Sequence, residues 1–170
     1  MKFKLGLAII VIAATAFALL QSDTPAPPLN VNPIPKNARV LGTPEVSSLL
    51  GSQFVLVRKV RLLPVALKQS FTNFTSLQLD MSDPGERIGT DFVVPGVPSR
   101  RLVFAGVNGS AAVLVYDQGG YATTRNAVVF SFENGGAAWG AFLDGRSVDD
   151  VPTLKMAVEG GRFHTWGKRK

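Results

Sequence analysis

Two apolar runs joined by Asn108-Gly109 restrict the fold of this chain more than any other feature. RLVFAGV precedes this dipeptide and SAAVLVY follows it. Asn-Gly is the pair that most readily adopts positive φ angles at both central positions of a two-residue hairpin turn. The sequence therefore predicts a β-hairpin centred on Asn108 and Gly109, in which Gly109 needs its positive φ and Asn108→Gly costs little.

Two further apolar runs follow this hairpin. The glycine-rich turns DQGG and NGG separate VLVY, YATTRNAVVFSFE and AAWGAFLDG, which predicts a meander of four antiparallel strands. The strand interiors are apolar almost without alternation, a pattern typical of a sheet that is covered on both faces. Val113 and Val115 would then be buried on one face, and Leu114 and Tyr116 on the other.

Short helices would provide this cover. Thr43-Pro44-Glu45 supplies a cap, a proline and an acidic first turn, and Gly51 ends that helix. Pro64 opens a second helix in PVALKQSFTNF, which Thr72 and Asn73 would end. A third follows the capping residues SVDD and ends at Gly160.

The segment FVLVRKVRLL, residues 54–63, is ambiguous. Its β-branched residues favour a strand, whereas its basic residues also suit the surface of a helix, and we favour the strand. Residues 80–98 are rich in proline and glycine and predict a loop, with a turn at Asp83-Pro84-Gly85. Together these patterns predict an α+β fold, an antiparallel β-meander of about four or five strands packed by two or three short helices.

The first twenty residues predict export. Lys2 and Lys4 precede an uncharged run from Leu5 to Leu20, which is stable as a helix in hydrocarbon while the lysines stay on the cytoplasmic side. Ala16-Phe17-Ala18 matches the cleavage pattern of a signal peptide, but the apolar run continues beyond it. Residues 1–20 are therefore either a signal peptide or an N-terminal membrane anchor. We expect a bacterial envelope protein that is periplasmic or membrane-anchored, with its domain outside the cytoplasm.

The rest of the chain divides into three parts. Residues 21–43 contain five prolines between Pro25 and Pro35 and predict a semi-rigid linker. Residues 44–163 would form a single α+β domain, and residues 164–170 a basic tail.

Composition removes several kinds of chemistry. Without cysteine there is no disulfide, thiolate metal site, cysteine nucleophile or lipoprotein anchor. The single histidine, His164, excludes a site with two histidine ligands, and the predicted tail is a poor place to position a catalytic base. We expect neither a cofactor nor a metal ion.

Acidic residues are the remaining candidates for catalysis. Asp80, Asp83, Glu86 and Asp91 form the densest group, but Pro84 occupies a ligand position of the calcium-binding pattern that this loop otherwise approaches. We expect these carboxylates to be solvated and paired with arginine. Asp117 and Glu133 lie beside predicted turns, and an acid–base pair there or in the acidic loop would suit a metal-independent hydrolase. We favour turn roles for both residues.

The charge balance points to an anionic partner. The net charge is +6 and the sequence pI is about 10.0, but an exported protein rarely meets nucleic acid, so anionic lipid or an envelope polymer is the expected partner. Solubility is the simpler explanation of the same charges, and no feature identifies a protein partner. We expect a non-enzymatic binding or assembly module, with the hydrolase as the alternative. The candidate anionic-surface contacts are Arg58, Lys59, Arg61, Arg100, Arg101, Lys168, Arg169 and Lys170.

Overall fold

The computed structural model describes Ala26, Lys36 and residues 39–90, 94–132, 137–143 and 147–161, of which 137–143 are described through their backbone. The predictions for the export segment, most of the linker and the basic tail lie outside these residues. Within the described ranges, no helix has both the length and the apolar character needed to cross a bilayer.

The described part of the chain alternates short helices with strands. Its elements are α1 Thr43–Leu50, β1 Val55–Val57, a 3₁₀ helix Val60–Leu62, α2 Val65–Thr75, β2 Met81–Ser82, β3 Arg100–Val107, β4 Ala111–Gln118, β5 Thr124–Ser131, β6 Ala137–Leu143 and α3 Val151–Glu159.

The six described strands belong to one sheet. The spatial order is β1-β3-β4-β5-β6, with antiparallel neighbours throughout, so the predicted meander and the α+β class are confirmed. At the outer edge of β3, β1 pairs with the C-terminal half of the strand, with Val55 opposite Val107. The short β2 pairs in parallel with the other end, with Met81 opposite Arg100. Two short strands therefore share this edge.

The predicted strand over residues 54–63 is too long. Only Val55–Val57 is extended, and the chain then turns into a 3₁₀ helix. The Asp83 carboxylate accepts a hydrogen bond from the Val60 N–H, with 2.6 Å between N and Oδ1. This bond helps to hold the chain away from the edge of β3, where β2 takes the place beside the strand.

Helix α2 covers one face of the sheet, which we call the α2 face. Leu67 and Phe71 belong to the same buried cluster as Leu114 and Tyr116. The half-buried Ala26, from the predicted linker, packs against this cluster. The helix continues past its predicted end to Thr75.

Helices α1 and α3 cover the opposite face, which we call the α1/α3 face. Val46 of α1 and Leu154 of α3 form a second cluster with Val113 and Val115. The prediction that both faces are buried is therefore confirmed, and the side chains of β4 alternate between the two cores as expected.

The helix ends follow local hydrogen bonding. At α1, the Glu45 side chain accepts from the Gly42 N–H at 2.7 Å, so Gly42, and not Thr43, is the capping residue. At α3, Asp150 Oδ1 accepts from the Thr153 N–H at 2.9 Å. Asp150 is thus the cap among the candidates that the sequence offered.

The first hairpin is confirmed, but its turn lies one residue later than predicted. The Asn108 N–H donates to the Ala111 carbonyl at 3.1 Å, so the central residues are Gly109 and Ser110. Gly109 has φ +89°, whereas the described residues with positive φ do not include Asn108. Asn108 Oδ1 instead accepts from the N–H groups of Ser110 and Ala111, at 3.2 and 2.8 Å. The Asn108 side chain therefore closes the turn from a flanking position.

Candidate functional site

The candidate anionic-surface contacts lie in different surroundings. Arg58 is exposed, and its Nη1 lies 3.5 Å from the Val103 carbonyl. Lys59 is half-buried, and Arg61 is exposed in the 3₁₀ helix. The remaining candidates from Lys168 to Lys170 lie outside the described residues.

Arg100 and Arg101 are adjacent in β3 and point to opposite faces of the sheet. Successive side chains of a strand alternate in direction. Arg100 turns toward the α2 face and is only 8% exposed. Arg101 turns toward the other face and forms an ion pair with Asp117. From the sequence the two arginines were expected to act as one basic pair, whereas the structure places them on opposite faces of the sheet.

Arg101, Asp117 and Arg125 form an ion-pair triad across three neighbouring strands. Asp117 is opposite Arg101 in the β3–β4 register and opposite Arg125 in the β4–β5 register. Its carboxylate lies 2.9 Å from Arg101 Nη2 and 2.8 Å from Arg125 Nε, and its side chain is only 5% exposed. Both carboxylate oxygens are therefore engaged.

Arg125 also holds the segment that leads into α3. Its Nη1 donates to the Val148 carbonyl at 3.0 Å and to Asp149 Oδ1 at 2.7 Å. The Asp149 side chain is 76% exposed, whereas Val148 is buried in the core of the α1/α3 face. The triad thus connects the sheet to the N-terminus of a covering helix.

The electrostatics of the triad keep Asp117 ionised. Burial raises the pKa of Asp117, but hydrogen bonds and attraction from Arg125 and Arg101 outweigh it, so the net pKa is lowered. The hydrogen bond to Asp117 raises the pKa of Arg125. A general acid that works near neutral pH needs a raised pKa, so Asp117 is suited to a structural ion pair. Its proposed partner in a hydrolase, Glu133, lies outside the described residues.

Two carboxylates of the acidic loop accept hydrogen bonds from backbone N–H groups. Asp83 accepts from the Val60 N–H, and Glu86 Oε2 accepts from the Asp83 N–H at 2.9 Å. Arg101 reaches this loop through the Glu86 backbone carbonyl, at 3.2 Å from Nη1. The expected carboxylate–arginine pairs are thus replaced by backbone contacts for Asp83 and Glu86. Among the described residues, no group of three acidic or histidine side chains could hold a metal ion.

Three polar side chains are buried on the α2 face, a feature that was not predicted from the sequence. Arg100 Nε, Tyr116 Oη and Asn126 Oδ1 are buried and lack a hydrogen-bond partner in the described part of the protein. Tyr116 is opposite Leu102 in β3 and opposite Asn126 in β5. Arg100 lies two residues before Leu102, on the same face. Sheet register, which no local pattern reveals, places these residues on neighbouring strands.

A shallow hollow of about 220 Å³ lies beside α2. Its lining consists of Lys68, Gln69, Thr72, Asn73 and Leu79. Leu79 also packs against the buried cluster of the α2 face. The hollow therefore combines one cation and several uncharged polar groups with an apolar base.

Comparison with models of known protein families, with curated proteins and with solved structures finds no match to this chain. Its function is therefore inferred from its own residues.

Proposed function

We propose that this chain is an exported or membrane-anchored envelope protein. In this proposal its α+β domain is a non-enzymatic binding or assembly module, and it contacts anionic lipid or an anionic envelope polymer. The charged and apolar pattern of residues 1–20 supports export. The distribution of charge from the end of β1 through α2 supports the anionic partner.

One long segment carries positive charge alone. Residues 46–79 contain Arg58, Lys59, Arg61 and Lys68 but no aspartate or glutamate. This segment includes the 3₁₀ helix and the whole of α2. Within this segment, no acidic side chain offsets the four cations.

The exposure of the start of α2 is the observation that carries the proposal. Arg61 is exposed, Val65 is 68% exposed and Lys68 follows one helical turn later. We call Arg61, Val65, Lys68 and Gln69 the basic face. In the described residues, neither Arg61 nor Lys68 forms an ion pair. An exposed apolar side chain beside cations that have no ion-pair partner among the described residues suits the headgroup region of an anionic membrane.

Vesicle sedimentation tests the proposal. The chain without residues 1–20 is mixed with phosphatidylcholine vesicles that contain or lack phosphatidylglycerol, so that the apolar segment contributes nothing. Each cation near an anionic membrane contributes about 1 kcal/mol, so the double variant Arg61→Glu/Lys68→Glu should bind at least roughly 30-fold more weakly at low salt. Binding of the unmodified chain should weaken as salt rises.

Lys155→Glu is the matched control. Lys155 lies on α3, on the opposite side of the sheet, and is similarly accessible. The control should bind almost as well as the unmodified chain. Equal binding to neutral vesicles, or equal losses in the control and the double variant, would contradict the proposal. Soluble polyphosphate that binds the chain more tightly than the vesicles do would identify a polymer as the partner.

A further inference from the structure

Arg100 is a buried cation without a visible counter-charge. It is 8% exposed, and its Nη1 donates to the neutral carbonyl of Gln78 at 3.1 Å. No carboxylate of the described ranges lies within ion-pair distance of it. Its neighbour Arg101 has Asp117 as a partner. Burial of a charge is costly unless the charge is paired, so the position of Arg100 favours a bound anion.

Buried polar atoms without hydrogen-bond partners around Arg100 also favour a bound anion. Buried polar atoms in proteins are almost always hydrogen-bonded. Yet Arg100 Nε, Tyr116 Oη and Asn126 Oδ1, on neighbouring strands and on the same face, all lack a partner among the residues that the structure describes. Arg100 Nε and the Tyr116 hydroxyl are donors. Asn126 Nδ2 lies 3.4 Å from the Thr124 carbonyl, a long hydrogen bond that the amide gives up when it turns over to present its NH₂ group to an anion.

We propose that Arg100, Tyr116 and Asn126 form an internal binding site for one small oxyanion, a carboxylate or phosphate group. Arg100 supplies the positive charge and an N–H donor, Tyr116 an O–H donor and Asn126 an amide. This site is distinct from the basic face, which lies on the outer surface of the domain.

The surroundings of the site strengthen these interactions. Tyr116 is fully buried, and its ring contacts that of Phe71 edge-on, with 5.5 Å between the centroids. Burial raises the pKa of Tyr116 to about 12, so its hydroxyl remains a donor at neutral pH. Hydrogen bonds are stronger in such a low-dielectric setting than in water. Gln78, which accepts from Arg100, is exposed, so the site lies close beneath the surface.

Thermal unfolding of the full chain in non-ionic detergent tests this site. Sodium phosphate and, separately, sodium acetate replace sodium chloride at constant ionic strength. A ligand that binds only the folded state raises Tm with a saturable dependence on concentration. We expect this dependence in the unmodified chain with at least one of the two anions, and the anion that saturates at lower concentration identifies the preferred group.

Two variants locate the effect. Tyr116→Phe keeps the ring and removes only the hydroxyl, and it should weaken the apparent affinity at least 10-fold. Arg100→Met should abolish the saturable rise. The matched controls are Tyr121→Phe, since Tyr121 is 99% exposed, and Arg87→Met, since Arg87 is exposed and belongs neither to this site nor to the basic face.

Both controls should respond to the anions as the unmodified chain does. A rise in Tm that is equal in Tyr116→Phe and the unmodified chain would be a general salt effect and would overturn the proposal. The absence of any saturable rise would overturn it as well, and would leave ordered water as the partner of these atoms. If Arg100→Met does not fold, the comparison of Tyr116→Phe with Tyr121→Phe still decides.

Discussion

Asp117 and Arg125 face each other across β4 and β5 and are joined by two hydrogen bonds, 2.8 Å from Nε to Oδ1 and 3.4 Å from Nη2 to Oδ2. Arg101 binds the same carboxylate from the other side. One acidic side chain of β4 therefore forms ion pairs with a cation from each of the strands on either side, β3 and β5. This arrangement fixes the relative register of three strands where the sheet meets α3.

Asp117→Asn should destabilise the domain strongly. The variant leaves two arginines beside a group without charge, and removal of one partner from a buried ion pair costs about 3 kcal/mol or more. Urea denaturation measures the change in the free energy of unfolding. Glu159→Gln is the control, because Glu159 and Lys155 are half exposed and 3.9 Å apart, and such pairs contribute less than about 1 kcal/mol. Similar losses in the two variants would show that the triad is not a buried ion pair.

The triad also predicts a pH dependence. The pKa of Asp117 is lowered in the folded state from its ordinary value of 3.8. The stabilisation is therefore fully present above pH 3.8 and is lost as the pH falls through the depressed pKa. Urea denaturation at a series of pH values gives the free energy of unfolding of the unmodified chain and of Asp117→Asn. The difference between the two free energies should shrink as the pH becomes acidic. A difference in the free energy of unfolding that stays constant with pH would contradict this origin of the stability.

The Asn108 side chain stabilises the first hairpin turn in a way that the sequence does not predict. The sequence predicts that Asn108→Gly costs little, but the Asn108 side chain accepts from two backbone N–H groups. Asn108→Ala or Asn108→Gly should therefore each cost about 1 kcal/mol or more. Asn108→Asp keeps an acceptor oxygen at the same position and should cost less. Chemical denaturation measures the free energy of unfolding of each variant. An equal loss in Asn108→Asp and Asn108→Ala would contradict this role.

Gly109 requires its backbone freedom and little else. Its φ is +89°, and a Cβ atom at this position would meet nothing within 4 Å. The cost of Gly109→Val is therefore one of backbone strain, about 1–3 kcal/mol. Gly109→Asn should be milder, because asparagine tolerates positive φ better than a β-branched residue does. Equal free energies of unfolding for the two variants would contradict a strained turn.

The sequence predicts the parts of this fold that depend on local pattern. The runs RLVFAGV and SAAVLVY, with their intervening glycine, were sufficient for the hairpin, and their lack of alternation was sufficient for two covered faces. The predicted strand over residues 54–63 was too long because the hydrogen bond between Val60 and Asp83 joins positions far apart in the chain. A local pattern carries no information about such a bond.

The charged clusters could not be predicted for a related reason. Arg100 and Arg101 look equivalent in the sequence, but pleating sends them to opposite faces. Tyr116 and Asn126 become neighbours only through the β4–β5 register, and a shift of one residue would separate their faces. Candidate sites built across strands therefore become visible only once the register is known.

The two cores can be tested separately through β4. Val113 belongs to the core of the α1/α3 face and Leu114 to that of the α2 face, and neither is exposed to solvent. Val113→Ala should cost about 1–3 kcal/mol and Leu114→Ala about 2–5 kcal/mol, because each loses apolar burial and leaves a cavity. Val65→Ala is the control, since Val65 is 68% exposed, and should cost much less. Denaturation in urea would measure all three, and a small effect at either buried position would mean that the corresponding face of the sheet is not covered by its helices.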